Sequence, residues 1–155
     1  MLPRDLRPRY FAMAELYLDL TYAIEQTMRV DWDSTLIIVC VTEATMRPVV
    51  LDSKTPAEVR RATVPPEEYR GSISRLQIAD RTGLARETVR RKVAALLASG
   101  HLVKDANGRI RTPPRLTHPL AKKLADDAFA AVQRYDTRLR KLGAKGIRSG
   151  SSSKS

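Results

Sequence analysis

The sequence predicts a mainly α-helical fold with one small β-hairpin. Three observations predict it. Apolar residues recur at helical spacing near both ends of the chain, Gly83 separates two further helical patterns, and an Asn-Gly step at residues 107–108 divides two short apolar runs. The chain has 155 residues, 43% of them hydrophobic, which is enough for one domain over residues 1–143.

The first helix is predicted over residues 10–30. Its apolar stripe recurs every three or four residues and consists of Met13, Tyr17, Leu20, Ile24 and Met28. Four neighbours widen the stripe: Leu16, Leu18, Tyr22 and Ala23. A stripe this broad needs packing partners on more than one side.

A second helix is predicted over residues 34–46, with Asp31 or Asp33 as its cap and Pro48 preventing its continuation. The apolar run 36–41 contains four β-branched residues, so a strand is the alternative there. The proline-rich stretch 48–73 reads as loop with a short helix over 57–62, and its role is not predicted.

Residues 74–99 predict two helices joined by a tight turn. Ser74 and Gln77 have the spacing of a capping box before a short helix over 75–82. Gly83 suits the positive φ of the turn, and a second helix over 86–99 has an inner stripe of Val89, Val93, Leu96 and Leu97. This order is the helix-turn-helix arrangement.

A β-hairpin and a final helix complete the fold. The hairpin pairs residues 101–104 with 109–111 around Asn107-Gly108. The final helix is predicted over 118–142, capped by Thr117, with a seam formed by Ala128, Val132, Tyr135, Leu139 and Leu142. The Gly/Ser/Lys tail 144–155 is predicted to be disordered.

Positive charge is concentrated in the second half of the chain. The formal net charge is +11, with −2 over residues 1–50, 0 over 51–72, +7 over 73–115 and +6 over 116–155. A localised basic block indicates a docking face for a polyanion, usually nucleic acid.

Other classes of protein are disfavoured. One cysteine allows no internal disulfide, no apolar run reaches membrane-spanning length, and the N-terminus does not resemble a signal peptide, so a cytoplasmic protein is expected. No nucleotide-binding or hydrolase motif is present, and neither an enzyme nor a cofactor is expected. Cys40 in an apolar run predicts an inert thiol, and His101 and His118 lack the spacing of metal ligands, so no metal is expected.

Residues 75–91 (RLQIADRTGLARETVRR) resemble the helix-turn-helix of bacterial transcription regulators of the Crp/Fnr type. The likeness lies in Ala79 at the helix crossing, Gly83 in the turn, apolar Leu84 and Val89, and the Arg-Glu-Thr-Val-x-Arg run at 86–91. With the hairpin, the segment looks like a winged helix-turn-helix. Those regulators usually cap the second helix with Ser or Thr, and Ala85 here loses roughly 1 kcal/mol of helix stability.

The resemblance implies roles for individual residues on double-stranded DNA. Arg86, Glu87 and Arg91 would contact base edges, the arginines through guanine and the glutamate through cytosine. A second group would contact the DNA backbone: Arg75, Thr88, Arg90, Lys104, Arg109 and Arg111.

The order of elements outside this segment is similar to that of MarR-type regulators, in which terminal helices build a two-fold dimer. Helices 10–30 and 118–142 would form the homodimer, and its two recognition helices would read an inverted repeat in the nucleoid. A small-molecule effector between dimer helices and winged modules is possible by analogy, although no residue indicates a ligand.

Three other interpretations remain open. The charged residues of the second helix can be an ordinary solvated face with a Glu87–Arg91 pair. The winged module can dock an acidic protein, or it can bind DNA without sequence preference as an architectural protein.

Overall fold

The computed structural model describes residues 6–114 and 118–143. They form a mainly helical protein with one two-stranded antiparallel sheet, which confirms the predicted class. In chain order the elements are α1 (Leu6–Met28), α2 (Trp32–Leu51), α3 (Ala57–Arg61), a 3-10 turn (Glu67–Tyr69), α4 (Arg75–Thr82), α5 (Arg86–Ala98), β1 (Val103–Lys104), β2 (Ile110–Arg111) and α6 (Pro119–Lys141). The chain divides into two compact units, a terminal unit with α1 and α6 and a central unit from Val30 to Pro119. The predicted domain over 1–143 spans both.

The terminal unit is an antiparallel pair of helices. Arg138 pairs with Glu15 at 2.7 Å and Arg134 pairs with Asp19 at 3.1 Å, so residue numbers rise along α1 as they fall along α6. Ala12 and Leu139 form a small buried cluster. Acidic residues of α1 therefore pair with basic residues of α6 beside a thin apolar seam.

The predicted buried stripe of α1 is wrong in its first half. Met13 and Tyr17 are exposed, whereas Ala12 and Ala23 are the buried residues of this helix. Alanine has no side chain beyond Cβ, so the helix approaches its neighbour along the alanine side and leaves the larger residues outside. The α6 seam is likewise only partly buried, because Leu139 is covered and Val132 is half-exposed.

The central unit is built around α2. Asp31 caps this helix by accepting hydrogen bonds from the Ser34 backbone N–H (3.1 Å) and hydroxyl (2.8 Å). Helices α4 and α5 and strand β2 pack on α2. The fully buried side chains of the unit are Ile37, Val41, Ile78, Val89, Val93, Leu102 and Ile110.

The prediction that Pro48 ends the second helix is wrong, because α2 continues through Pro48 to Leu51. Proline removes one backbone donor from a helix interior, which leaves a carbonyl without its usual partner. The loop after the 3-10 turn covers this place. Gly71 N–H donates to the Thr45 carbonyl (2.9 Å), and the Gly71 backbone lies against the Ala44 carbonyl and the Pro48 ring.

Among the described residues, α2 alone is long and apolar enough to cross a bilayer by length and composition. The core helix of a soluble protein satisfies the same criterion, and α2 buries Ile37, Ile38 and Val41 within the central unit.

Helix α1 begins four residues before its predicted start and ends two residues before its predicted end. Several other boundaries are close to prediction. Residues 36–41 are helical, the short helix over 57–62 is present as α3, and α6 differs from prediction by one residue at each end. The proposed cap Thr117 and the tail 144–155 lie outside the described residues.

Candidate nucleic-acid interface

Helices α4 and α5 are joined by a tight turn over residues 83–85. Ser74 and Gln77 make the full capping box at the start of α4. Gly83 ends α4 with a φ of 73°, the left-handed conformation that favours glycine. Helix α5 begins three residues later, and no side chain caps it at Ala85.

Helix α5 has a buried side and a charged outer side. Val89, Val93 and Leu96 are buried against the central unit. At 3.6 residues per turn, Glu87 and Arg91 lie opposite this buried side. Arg86 lies at the edge of the buried side, in the first turn of α5, and its side chain is exposed.

The charges of this outer side stand at the N-terminal end of α5. The exposed residues that follow Arg91 along the outer side are Ala94, Ala95 and Ala98. Large polar groups therefore occupy only the first two turns, and small side chains occupy the rest. We call Arg86, Glu87, Arg90 and Arg91 together the α5 charged face.

Four exposed basic side chains of the segment 73–114 have no ion pair with any described residue: Arg75, Arg86, Arg91 and Lys104. Thr88, predicted to contact the backbone of DNA, is half-buried between Glu87 and the core residue Val89.

Glu87 pairs with Arg90 rather than with Arg91. The Arg90 guanidinium donates from Nε to Oε2 (2.8 Å) and from Nη2 to Oε1 (2.6 Å). Hydrogen bonding to Arg90 lowers the pKa of the Glu87 carboxyl and raises the pKa of Arg90. Arg90 thus neutralises the only carboxylate of the α5 charged face.

Other basic residues of the same segment form ion pairs with carboxylates of the central unit. Arg81 on α4 pairs with Glu43 on α2 (2.6 Å), and Lys92 on α5 pairs with Asp31 (2.8 Å). These pairs link α4 and α5 to the central helix. The high positive charge of residues 73–115 is therefore partly structural.

The hairpin is shorter than predicted. Val103 pairs with Arg111 and Lys104 pairs with Ile110, and residues 105–109 form the loop. Gly108 has a φ of 74°, and the Asp105 carboxylate accepts from the backbone N–H groups of Asn107 and Arg109 (both 2.9 Å). Lys104 stands on the exposed side of β1.

Arg111 is buried, which argues against the predicted contact with the DNA backbone. Its guanidinium pairs with Glu67 and lies 3.7 Å from the Asp105 carboxylate. Arg70 pairs with the same Glu67 (2.6 Å) and donates to the Thr112 carbonyl. Arg111 therefore joins β2 to the 3-10 turn.

Arg109 is engaged inside the protein as well. Its Nε donates to the Ser72 hydroxyl (3.2 Å), and its Nη2 donates to the Ser72 carbonyl (3.2 Å) and to Gln77 Oε1 (2.9 Å). The residues that hold Arg109 and Arg111 are Glu67, Ser72 and Gln77, and none of the three was predicted as functional. Only the capping box at Ser74 and Gln77 signalled any structure there.

Other chemically active side chains have ordinary surroundings. Cys40 is buried, and desolvation raises the pKa of its thiol. His101 shares a 2.7 Å hydrogen bond with Ser99, and Asp126 and Asp127 pair with lysines one turn earlier on α6. Among the described residues, no three His, Cys, Asp or Glu side chains are grouped to hold a metal ion.

Two open grooves are present, one in each unit. A groove of about 450 Å³ runs between α1 and α6, and one of about 400 Å³ lies between α2, α4 and the segment 71–73. The Arg138–Glu15 ion pair lines the first groove. Arg81, which pairs with Glu43, lines the second. Neither groove indicates a particular ligand.

No family model, curated protein or solved structure matches this chain. What the protein does is therefore inferred from its own residues.

Proposed function

We propose that this protein is a sequence-specific, double-stranded DNA-binding transcriptional regulator that acts as a homodimer on an inverted repeat. One observation carries the proposal. Three exposed arginines and one glutamate stand on the first two turns of α5, directly after the turn at Gly83. A recognition helix presents this end to base edges in the major groove.

The surrounding elements support a winged helix-turn-helix. Helix α4 packs against α5, both pack on α2, and β1 and β2 follow α5 within the same compact unit. The capping box and Gly83 fix α4 and the turn locally, so the angle between the helices depends on the shared core of Ile78, Val89 and Val93.

The chemistry assigns different roles within this surface. Arg86 and Arg91 have no ion pair among the described residues, so their guanidinium groups are available for guanine O6 and N7. Glu87 would accept from cytosine N4 with Arg90 beside it. Arg75 and Lys104 are the basic side chains best suited to phosphates, whereas Arg111 is withdrawn from this role by its burial.

Exposed apolar residues support dimerisation through the terminal helices. Large apolar side chains stand uncovered along both helices of the terminal unit: Tyr10, Phe11, Met13, Tyr17, Leu18, Tyr22, Phe129, Val132 and Leu142. Exposed large apolar side chains in this number usually mark a protein interface. A second copy would cover it and place two recognition helices one DNA turn apart, about 34–36 Å.

The test compares two variants on a duplex that the protein selects from random sequences. Arg86→Ala should relax the preference at one base pair per half-site, with a loss of about 1–3 kcal/mol on the preferred base. Lys104→Ala should weaken binding to all sequences alike. Arg140→Ala on α6 removes the same charge outside the central unit and is the control. Equal effects of Arg86→Ala and Lys104→Ala on every sequence would contradict base reading by α5.

Two other functions are outcomes of the same experiment. Binding that shows no preference and disappears as salt rises would indicate an architectural DNA-binding protein. Absence of duplex binding, with binding of an acidic protein to the same surface, would indicate a docking module.

A further inference from the structure

The geometry points to Arg109 as a positioning residue that fixes the hairpin against the start of α4 and so sets where Lys104 meets DNA. This inference rests on the proposed function. It differs from the sequence-based prediction, which assigned Arg109 itself to the DNA backbone.

The Arg109 guanidinium donates hydrogen bonds to three acceptor atoms on two residues. Its Nε and Nη2 donate to the hydroxyl and the carbonyl of Ser72, two residues before the cap of α4. Its Nη2 also donates to Gln77 Oε1, the oxygen that accepts from Ser74 N–H in the capping box. A planar, forked guanidinium suits such a set of acceptors, whereas a lysine ammonium does not match it.

Elsewhere the hairpin is held by the buried side chain of Ile110 and by the Arg111–Glu67 ion pair. At the start of α4, the described contacts besides those of Arg109 are few. Ile73 and Ile110 exchange two backbone hydrogen bonds (2.8 and 2.9 Å) in an isolated bridge. Asp105 receives a hydrogen bond from the Ser72 side chain, which is the main cause that lowers its pKa. Both contacts lie within a few residues of Arg109, so its side chain supplies much of the attachment of the 105–109 loop.

The position of Lys104 depends on this attachment. Lys104 is paired with Ile110 in the two-residue ladder, and Ile110 follows Arg109 directly. Strands of two residues have little stability of their own, because isolated hairpins are marginal in water even when longer. Without the Arg109 contacts the 105–109 loop would be less restrained against the start of α4, and Lys104 beside it would be held less firmly relative to α5.

A double-mutant cycle separates positioning from direct contact. Each phosphate contact contributes about 0.9 to the slope of log Kobs against log salt. If Arg109 positions Lys104, Arg109→Ala and Lys104→Ala each lower the slope by about 0.9 per protomer, and the double variant binds like Arg109→Ala within about two-fold. If Arg109 contacts phosphate itself, the losses add and the slope falls by about twice as much, which would overturn the inference.

A charge-neutral pair of variants provides the matched control. Gln77→Ala removes an acceptor of Arg109, and Ser74→Ala breaks the same capping box from its other side. We expect Gln77→Ala to weaken binding and to diminish the effect of Lys104→Ala. Ser74→Ala should leave the effect of Lys104→Ala intact. The same Lys104→Ala effect in both backgrounds would contradict the positioning role.

Hydrogen exchange tests the attachment without DNA. The Ile110 and Asp105 amides, bonded to the Ile73 and Arg109 carbonyls, should exchange faster in Arg109→Ala and at the wild-type rate in Lys104→Ala. Unchanged exchange in Arg109→Ala would overturn the positioning role whatever the DNA result. Faster exchange in a protein whose wild type binds no duplex would instead overturn the proposed function and the role of Lys104 with it.

Discussion

Glu87 and Arg90 form a two-bonded ion pair on the outer side of α5, with N–O distances of 2.8 and 2.6 Å. The pair joins residues three apart and leaves Arg86 and Arg91 without an internal carboxylate. It therefore divides the α5 charged face into one restrained acidic acceptor and two available cations. This division is the arrangement needed to read cytosine and guanine separately.

The first prediction concerns the titration of Glu87. Because Arg90 hydrogen-bonds its carboxylate, the pKa of Glu87 should lie below the ordinary value, and Arg90→Ala should return it toward that value. Any stabilisation from the pair is present above the ordinary glutamate pKa and is lost as pH falls through the lower folded-state pKa. Carboxyl-carbon NMR across a pH series measures the shift. A larger change in Arg91→Ala than in Arg90→Ala would show that the wrong partner is assigned.

The second prediction concerns the uncapped start of α5. Ala85 has φ −59° and ψ 140° and has no side-chain oxygen that could accept a hydrogen bond from the first turn. Ala85→Ser should raise the free energy of unfolding by roughly 1 kcal/mol, because its hydroxyl can accept from a free N–H of that turn. Ala94→Ser, also exposed but inside α5, is the control and should lower stability by a few tenths of a kcal/mol. Urea denaturation distinguishes the two, and equal effects would contradict a missing cap.

The third prediction concerns the approach of Gly71 to α2. A Cβ at position 71 would overlap the Ala44 carbonyl oxygen and meet the Pro48 ring at 3.0 Å. Gly71→Ala should therefore destabilise the protein by about 1–3 kcal/mol, the usual cost of overpacking. Without this clash the same change would stabilise by about 0.4–1 kcal/mol through the unfolded chain. The sign measured by thermal or urea unfolding decides whether the loop covers the helix at Pro48.

The fourth prediction concerns the dimer. Leu18 and Phe129 are each 66% exposed, so a charge at either position should damage an interface without disturbing the packed seam of the terminal unit. Leu18→Glu should shift the protein from dimer to monomer in sedimentation velocity at micromolar concentration. Gln26→Glu adds the same charge to an exposed polar position of α1 and should leave the dimer intact. A monomeric wild type, or a dimer unaffected by Leu18→Glu, would contradict the assigned surface.

Local signals predicted some elements well. The bounds of α4 follow from Ser74, Gln77 and Gly83, which lie within ten residues of one another. The buried side of α5 follows from the spacing of Val89, Val93 and Leu96. These features depend on short-range hydrogen bonds and periodicity, which a single sequence displays directly.

Features that depend on distant residues were not predictable in this way. Helix α2 continues through Pro48, and the Gly71 backbone that lies against it there is more than twenty residues later in the chain. Arg111 is withdrawn from the surface by Glu67, which is 44 positions away. On sequence alone Arg111 resembles the other basic residues of its segment, since nothing near it in the chain indicates burial.

The most direct test of the account is selection of binding sites from a random duplex pool at about 0.2 M salt, which suppresses purely electrostatic binding. The account predicts enrichment of a two-fold repeat whose half-sites are centred about one DNA turn apart. It also predicts G·C pairs in each half-site, since in the proposed function Arg86 and Arg91 would contact guanine and Glu87 would contact cytosine. A pool that remains unenriched while the protein is folded and dimeric would contradict sequence-specific reading by α5.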